Sequence, residues 1–238
     1  MIILILFALL TIYPVGACRK SVKKMATYIN FRDPNSKEIE TLLNSLEKTP
    51  GVCIFIDVID STLIKYQNTL AQWGRKLNNT FNFISFLNDF KENIVKGIGD
   101  QLMVYISDSQ IKKKNTYNNY YSLLEDVYST IYNLKNFPEA DVFHKCKVGI
   151  HYCEDVYNIT FFKECNDFYG RDIDLTARLM SKTKPNRIVM TETFYKKALN
   201  DYGEKDYQAS MCLSSVSEKY IEDFKGIPGP TEFRVIDV

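Results

Sequence analysis

The chain has 238 residues, of which 45% are hydrophobic and 25% are charged, so it is long enough to bury one sizeable core. Its 30 Lys and Arg residues nearly balance 29 Asp and Glu residues, which leaves a net charge of +1. This balance argues against a nucleic-acid-binding tract, so any anionic ligand must be held by local groups. We predict one main domain over residues 51–238, preceded by a polar lead-in over residues 25–50.

Residues 1–24 stand apart, because residues 2–17 are almost wholly apolar and basic residues follow them. The run is shorter than the roughly 20 residues of a spanning helix, and no basic residue precedes it. Three interpretations remain open: an extension upstream of a true start at Met25, an anchor that leaves the domain in the cytoplasm, or a secretion signal. We favour the first interpretation, which predicts a cytoplasmic protein. Under the second, the segment would attach the protein to a membrane.

The six cysteines are scattered and form no Cys-x-x-Cys pair, which is typical of reduced thiols in a cytosolic protein. His144 and His151 lie near Cys146 and Cys153. Alternate residues of one strand cannot complete a tetrahedral zinc site unaided. The pattern therefore disfavours zinc, and we interpret His151 as a structural residue.

The first half of the domain predicts a strand, a helix and a hairpin. The apolar run at 51–58 indicates a buried strand. Apolar residues then recur at helical spacing after a cap at Asp60 or Ser61; they are Tyr66, Leu70, Trp73, Leu77 and Phe81. Residues 93–107 form two β-rich arms around a turn at 97–100, which predicts a β-hairpin.

The second half begins with a polar loop at 112–119 and a helix with a buried stripe at Leu124, Val127, Ile131 and Leu134. Strands at 146–152 and 156–162 are predicted as a second hairpin. A helix at 170–181, a strand at 187–190, a helix at 191–199 and a final edge strand after a turn at 224–230 complete the order. This order predicts an α+β fold with a central, mainly antiparallel sheet and helices packed on one face.

Two carboxylates stand at the ends of predicted strands. Asp57 ends the first strand, and the next helix would point its first amides, at Asp60, Ser61 and Thr62, outward. A helix N-terminus beside a carboxylate can hold both a metal and the phosphates bound to it, so Ser61 and Thr62 are candidates for substrate binding. Asp100 lies on the hairpin turn, which we expect beside that strand end. For either Asp alone, a strand end or a turn is the commoner explanation, but a pair on neighbouring strands can bridge divalent cations.

Asp174 and Arg178 lie four residues apart on a predicted helix and project from nearly the same side. The ordinary explanation is a surface ion pair worth about 0.3–0.5 kcal/mol. Arg178 would lie at the margin of the adjoining buried stripe of this helix. The stripe consists of Ile173, Thr176, Ala177 and Met180. From these residues alone we favour the surface ion pair over a functional site.

Five segments resemble, in order, those of class III adenylate and guanylate cyclases; they are residues 55–62, 95–106, 148–153, 166–179 and 224–236. The resemblance implies a nucleotide cyclase catalytic domain with a ferredoxin-like fold over residues 51–238. It also implies the reaction, in which the ribose 3′-oxygen attacks the α-phosphate of a nucleoside triphosphate and pyrophosphate leaves.

The resemblance assigns roles to single residues. Asp57 and Asp100 would bind two divalent cations, Mn²⁺ or Mg²⁺, with the backbone carbonyl of Val58. Arg178 would stabilise the transition state and Lys225 would bind phosphate. Because the family takes the metal-binding Asp residues and the Arg from different subunits, and this chain carries both, the resemblance implies a symmetric homodimer with two sites.

The resemblance places Lys96 and Asp167 where adenylate cyclases read the base. A donor and an acceptor complement adenine, cytosine and uracil alike, so the volume of the pocket must decide; the bulky candidates are Phe55, Phe168 and Tyr169. Asp174 stands where the family has an Asn that contacts the ribose. An ionised carboxylate cannot donate the hydrogen bond that an amide can, which affects the ribose contact and not the metal site.

A compact cyclase with this helix sequence also resembles the Pycsar pyrimidine cyclases of bacterial anti-phage defence. That resemblance implies conversion of UTP to cyclic UMP, a second messenger for a separate effector protein, with an adenylate cyclase as the alternative. A catalytically inactive module for dimerisation or sensing is the rival of another class. It predicts losses at Asp57, Asp100 or Arg178, and all three are present.

Overall fold

The computed structural model describes residues 26–30, 36–87, 90–112, 119–136, 141–203 and 207–238. The apolar segment at 1–24, the start proposed at Met25 and the predicted loop at 113–118 lie outside the described residues. Within the described ranges, no helix is long and apolar enough to cross a membrane.

The strands are β1 (Thr27–Tyr28), β2 (Gly51–Val58), β3 (Ile94–Ile98), β4 (Gln101–Ser107), β5 (Cys146–Cys153), β6 (Ile159–Thr160), β7 (Arg187–Thr191), β8 (Tyr220–Asp223) and β9 (Pro230–Asp237). The helices are α1 (Ser36–Ser45), α2 (Ser61–Gln67), α3 (Leu70–Leu87), α4 (Asp108–Lys112), α5 (Tyr120–Asn136), α6 (Arg171–Lys182), α7 (Glu192–Tyr202) and α8 (Met211–Ser214). Short 3₁₀ turns occupy residues 90–92 and 207–209.

Seven strands form one sheet in the order β3-β4-β2-β5-β7-β9-β8, in which β5 and β7 pair in parallel and the other neighbours are antiparallel. The prediction of an α+β fold with a mainly antiparallel sheet is confirmed. The prediction of β9 as the edge strand is wrong, because β8 pairs with the outer side of β9 and takes the edge.

Helices cover both faces of this sheet, so the expectation of helices on one face is wrong. Even-numbered residues of β2, such as Ile54, join a core with α3, α5 and α7. Odd-numbered residues, such as Cys53 and Phe55, join a second cluster with Met180 of α6. The unbroken apolar run of β2 explains this arrangement, because a strand that is apolar at every position must be covered on both sides.

The predicted helix after β2 is interrupted, which changes the face that it buries. It breaks after Gln67, and α3 begins at Leu70, where the side chain of Gln72 accepts a hydrogen bond from the Thr69 amide at 2.9 Å. The break exposes Tyr66 to 88% and Leu70 to 70%, although both were predicted to be buried. The cap prediction also fails, because Asp60 has a left-handed φ of 66° and makes no side-chain cap.

The predicted second hairpin is wrong as well. β6 has only two residues and pairs in parallel with β1, outside the main sheet. The chain leaves the sheet after β5 because the Asp172 carboxylate accepts hydrogen bonds from the amides of Glu154 at 2.7 Å and Asp155 at 2.8 Å. The lead-in also contains helix α1, for which no helix was predicted.

Candidate active site

The structure brings Asp57 and Asp100 together at one end of the central strands. Asp57 is the next-to-last residue of β2, and the amide of Val58 donates a hydrogen bond to the Asp100 carbonyl oxygen at 3.2 Å. Gly99 adopts a φ of 68°, so a residue without Cβ forms the tight turn that carries Asp100. The buried hydroxyl of Ser61 donates to the Asp100 carboxylate, which fixes the start of α2 against the turn.

The charge distribution at this corner is unbalanced. Partial burial raises the pKa of the Asp57 carboxyl, and the negative charge of Asp100 raises it further. A hydrogen bond from Gln101 and the positive charge of Lys147 lower that pKa in turn, without cancelling the rise. Two facing carboxylates with incomplete compensation suit a site for hard divalent cations.

Lys96 and Asp167 form a direct ion pair. The Lys96 ammonium donates to both Asp167 oxygens, at 2.9 and 2.7 Å, and the Phe168 amide donates to one of them at 2.8 Å. Asp167 is buried, whereas Lys96 is partly exposed. The pair thus presents a donor and an acceptor side by side, as the sequence predicts.

Aromatic rings border this pair. The Phe168 ring stacks on Tyr105 with centroids 4.2 Å apart, and the Lys96 ammonium lies 5.5 Å from the centre of the Tyr169 ring. The Tyr105 hydroxyl donates to the Thr49 carbonyl oxygen at 2.5 Å, which holds that ring in place. Phe55 is only 4% exposed and packs inside the same cluster, so it supports these rings and offers little open surface of its own.

Helix α6 displays the other two predicted catalytic residues. Gly149 of β5 lets the helix approach closely, because a Cβ there would lie 2.7 Å from the Met180 Cβ. Asp174 and Arg178 are both exposed, and within the described ranges neither forms an ion pair. The surface ion pair considered as their ordinary explanation is therefore not formed.

Two predicted phosphate-binding groups lie in exposed positions. Thr62 is exposed in the first turn of α2, beside Asp57. Lys225 is exposed in the turn between β8 and β9. That turn joins the strands three and four places from β2, a lateral separation of about 14–19 Å at the usual strand spacing. In a single chain, Lys225 and Asp57 are therefore far apart.

Sequence reasoning missed three residues of this region. Gln101 faces Asp57 across the β2–β4 ladder, and Lys147 faces it across the β2–β5 ladder. That both residues lie opposite a candidate metal ligand becomes known only when the register of the strands is known. Tyr105 borders the Lys96–Asp167 pair because its ring stacks on Phe168. It lies on the same face of β4 as Met103, two residues away, and this period-2 pattern is present in the sequence.

The amino-acid sequence matches the model of a known protein family. The family described as "Adenylate and Guanylate cyclase catalytic domain" matches residues 45–219. No curated protein matches the sequence at a significant level.

Solved structures share the fold at low identity. A rhodopsin-guanylyl cyclase catalytic core of converted specificity, in complex with ATPαS, is 14% identical with a TM-score of 0.61, over 79% of this chain and 95% of that one. The guanylate cyclase domain of RhGC from Catenaria anguillulae, in complex with GTP, is 12% identical with a TM-score of 0.61, over 79% and 96%. The adenylyl cyclase CyaB from P. aeruginosa is 16% identical with a TM-score of 0.60, over 80% and 98%. The family match covers most of the chain, and the chain belongs to the adenylate and guanylate cyclase catalytic domain family.

Proposed function

We propose that this nucleotide cyclase converts UTP to cyclic UMP and pyrophosphate, and that the product is a second messenger for a separate effector protein in bacterial anti-phage defence. The bond between the 3′-oxygen and the α-phosphorus forms, the bond from that phosphorus to the β-phosphate oxygen breaks, and the 3′-hydroxyl proton passes to solvent. The further proposal of a cytoplasmic location follows from the need for cytosolic triphosphates.

The arrangement around Lys96 and Asp167 carries the choice of base. Lys96 can donate to O4 of uracil while the Asp167 carboxylate accepts from N3–H. The Phe168 ring, adjacent to Asp167 in sequence and stacked on Tyr105, and the Tyr169 ring, 5.5 Å from the Lys96 ammonium, are bulky groups that would narrow the pocket and favour a single-ring base over a purine. A base must also compete with the existing ion pair, so only a partner that satisfies both groups binds well.

The carboxylate corner suits the metals that this family uses, which are generally Mg²⁺ or Mn²⁺. Asp57 and Asp100 would hold two such cations together with the Val58 carbonyl. Burial, and after it the charge of Asp100, raises the pKa of Asp57, and a bound cation would offset both effects. When bound, the cations would neutralise charge on the phosphate oxygens and lower the pKa of the 3′-hydroxyl.

The placement of the cationic groups supports a homodimer with composite sites. Asp167, Asp174 and Arg178 lie along one continuous segment, so a nucleotide whose base contacts Asp167 would extend along α6. Lys225 lies about 14–19 Å across the sheet from β2, and therefore serves a site whose metal-binding corner comes from the partner subunit. One solved neighbour is described as a "non-canonical dimeric guanylyl cyclase domain", and another is an adenylate cyclase from Trypanosoma brucei described in its monomeric state.

Adenylate cyclase activity is the second candidate, because the same donor and acceptor complement N1 and the 6-amino group of adenine. The structural likeness to an adenylyl cyclase favours it. A catalytically inactive sensing module is the third, and it predicts no turnover with any nucleotide.

The test is to incubate the purified full chain separately with ATP, GTP, CTP and UTP in the presence of Mn²⁺, and to identify cyclic products by mass. We expect cyclic UMP to dominate. Cyclic AMP alone would establish the adenylate alternative. Absence of every cyclic product, with the dimer intact and Mn²⁺ bound, would support the inactive module.

A further inference from the structure

A second group of metal-ligating side chains lies away from the carboxylate corner. His151 and Cys153 come from β5, and Asp172 comes from the first turn of α6. Their ligand atoms all lie within 4.8 Å of one another, and His151 Nε2 is 3.7 Å from an Asp172 oxygen. Cys53 of β2 faces His151 across the ladder, and its buried thiol neighbours that of Cys153. Its sulfur is outside the group of three whose ligand atoms lie within 4.8 Å of one another, so the Cys53 side chain must move toward that group to become a fourth ligand.

The groups around these side chains orient them toward a common point. His151 Nδ1 lies 2.8 Å from the hydroxyl oxygen of Thr191, which leaves Nε2 directed at Asp172. One Asp172 oxygen accepts the amides of Glu154 and Asp155, which leaves the other oxygen facing His151. Metal ligands in proteins are commonly held in this way by a second hydrogen bond on the far side.

We propose that Cys53, His151, Cys153 and Asp172 form a zinc site that joins the start of α6 to the sheet. Two thiolates, an imidazole and a carboxylate suit Zn²⁺ and not Mg²⁺, which prefers oxygen ligands throughout. Zinc–ligand bonds of about 2.0–2.3 Å place tetrahedral ligand atoms roughly 3.3–3.8 Å apart. The nitrogen and oxygen ligands have the shorter bonds and belong at about 3.3–3.5 Å, so the observed 3.7 Å between His151 and Asp172 would shorten by a few tenths of an ångström when zinc binds.

This site corrects the zinc argument made from the sequence. One strand alone supplies only His151 and Cys153, which cannot surround an ion. The neighbouring strand adds Cys53, and the helix adds Asp172 from another direction, so the four ligands come from three elements. Because α6 also carries Asp174 and Arg178, zinc would fix the helix that displays them.

Cobalt substitution tests the site in the unmodified chain. The purified full-length protein is prepared free of metal, saturated with Mg²⁺ to occupy carboxylate-only sites, and titrated with Co²⁺. We expect one Co²⁺ per chain, with thiolate-to-metal charge-transfer absorption and the intense visible bands of tetrahedral Co²⁺, both abolished when Zn²⁺ is added. Binding without a thiolate band, or no binding, would overturn the proposal whatever the cyclase activity is.

Variants then locate the ligands. Cys53→Ser and Cys153→Ser should each weaken the thiolate band and the double variant should lose it, whereas Cys212→Ser, a buried cysteine outside the group, should keep it at full intensity. Thr191→Val should lower Zn²⁺ affinity about 10-fold to 100-fold by releasing the His151 ring. Circular dichroism checks that each variant is folded. Unchanged Zn²⁺ affinity in folded Cys153→Ser or Thr191→Val protein would contradict the proposed ligand set.

Discussion

Two charged pairs on the same sheet differ in how well their charges are balanced. Asp57 and Asp100 have like charges, and the pKa of Asp57 is raised by burial and raised further by the charge of Asp100. Lys96 and Asp167 have opposite charges and meet at 2.7 Å, with a backbone amide completing the carboxylate's contacts. The first pair is incomplete without a cation, whereas the second is satisfied before any ligand arrives.

This difference assigns the two pairs different parts of the reaction. Binding of divalent cations stabilises an uncompensated carboxylate pair, so we expect this pair to control turnover. A satisfied ion pair must exchange one partner for another, so its contribution to binding is a difference between two similar sets of hydrogen bonds. We therefore expect the second pair to control selectivity among bases and to affect rate less.

The largest effect should follow from Asp57→Asn. Loss of one metal-binding carboxylate should reduce kcat about 1000-fold or more, because charge on the phosphate oxygens is then poorly neutralised. Cyclic product formed per minute in saturating Mn²⁺ measures this loss. Asp141→Asn, which removes a surface carboxylate paired with Arg75, is the matched control and should keep wild-type activity. Comparable activity in the two variants would remove Asp57 from the metal site.

Arg178→Ala should reduce kcat by about 100-fold to 1000-fold, as expected when a cationic donor to the transition state is lost. If the site is shared between subunits, mixing and refolding this variant with Asp57→Asn should restore activity, because each heterodimer has one intact site. Random assembly predicts about one quarter of wild-type activity, since half of the dimers are heterodimers with one of two sites working. No recovery in mixtures shown to contain heterodimers would contradict the composite site.

Asp167→Asn should change the choice of base more than the maximal rate. The loss of a charged hydrogen-bond acceptor is worth about 1.5–3 kcal/mol, which corresponds to roughly 10-fold to 100-fold in kcat/KM for the preferred nucleotide. Measuring kcat/KM for UTP and ATP side by side separates selectivity from general damage. Glu232→Gln breaks the Lys219–Glu232 ion pair, of similar length, at the sheet edge and should leave both values unchanged. An equal loss for every nucleotide would place Asp167 outside the base pocket.

The sequence predicted the sheet better than the faces of its helices. The apolar run of β2 and the glycine turn before Asp100 are local signals, and both elements formed where they were predicted. The buried face after β2 was mispredicted, because a two-residue break at Asn68 and Thr69 changes the helical phase, and periodicity alone does not register such a break. The pairing of β6 with β1 depends on contacts distant in sequence, which no local pattern encodes.

The residues of the candidate site also differ in whether a local sequence signal marks them. Asp57, Asp100, Lys96 and Asp167 could be proposed because motif order marked them, and the structure brings each pair together. The neighbours that adjust their charges, such as Gln101 and Lys147, depend on strand register and were not found. Cys53 and Asp172 were missed beside His151 for the same reason, since they come from another strand and from a helix.

The smallest predicted effect concerns stability, and it tests the imbalance at Asp57 directly. Burial and the charge of Asp100 raise the pKa of Asp57, so its ionised form costs folding free energy and its protonated form does not. Without divalent metal at neutral pH, Asp57→Asn should therefore unfold at a Tm on the order of a few degrees above the wild type. The advantage should shrink as pH falls through the raised pKa of Asp57 and disappear below about pH 4, where the carboxyl is protonated in both the folded and unfolded wild type.

Adding Mn²⁺ should raise the Tm of the wild type more than that of the variant, because the metal binds the intact carboxylate pair. Thermal unfolding across pH, with chelator or Mn²⁺, measures both differences, and a variant less stable than wild type in chelator would show that Asp57 is already balanced without a cation.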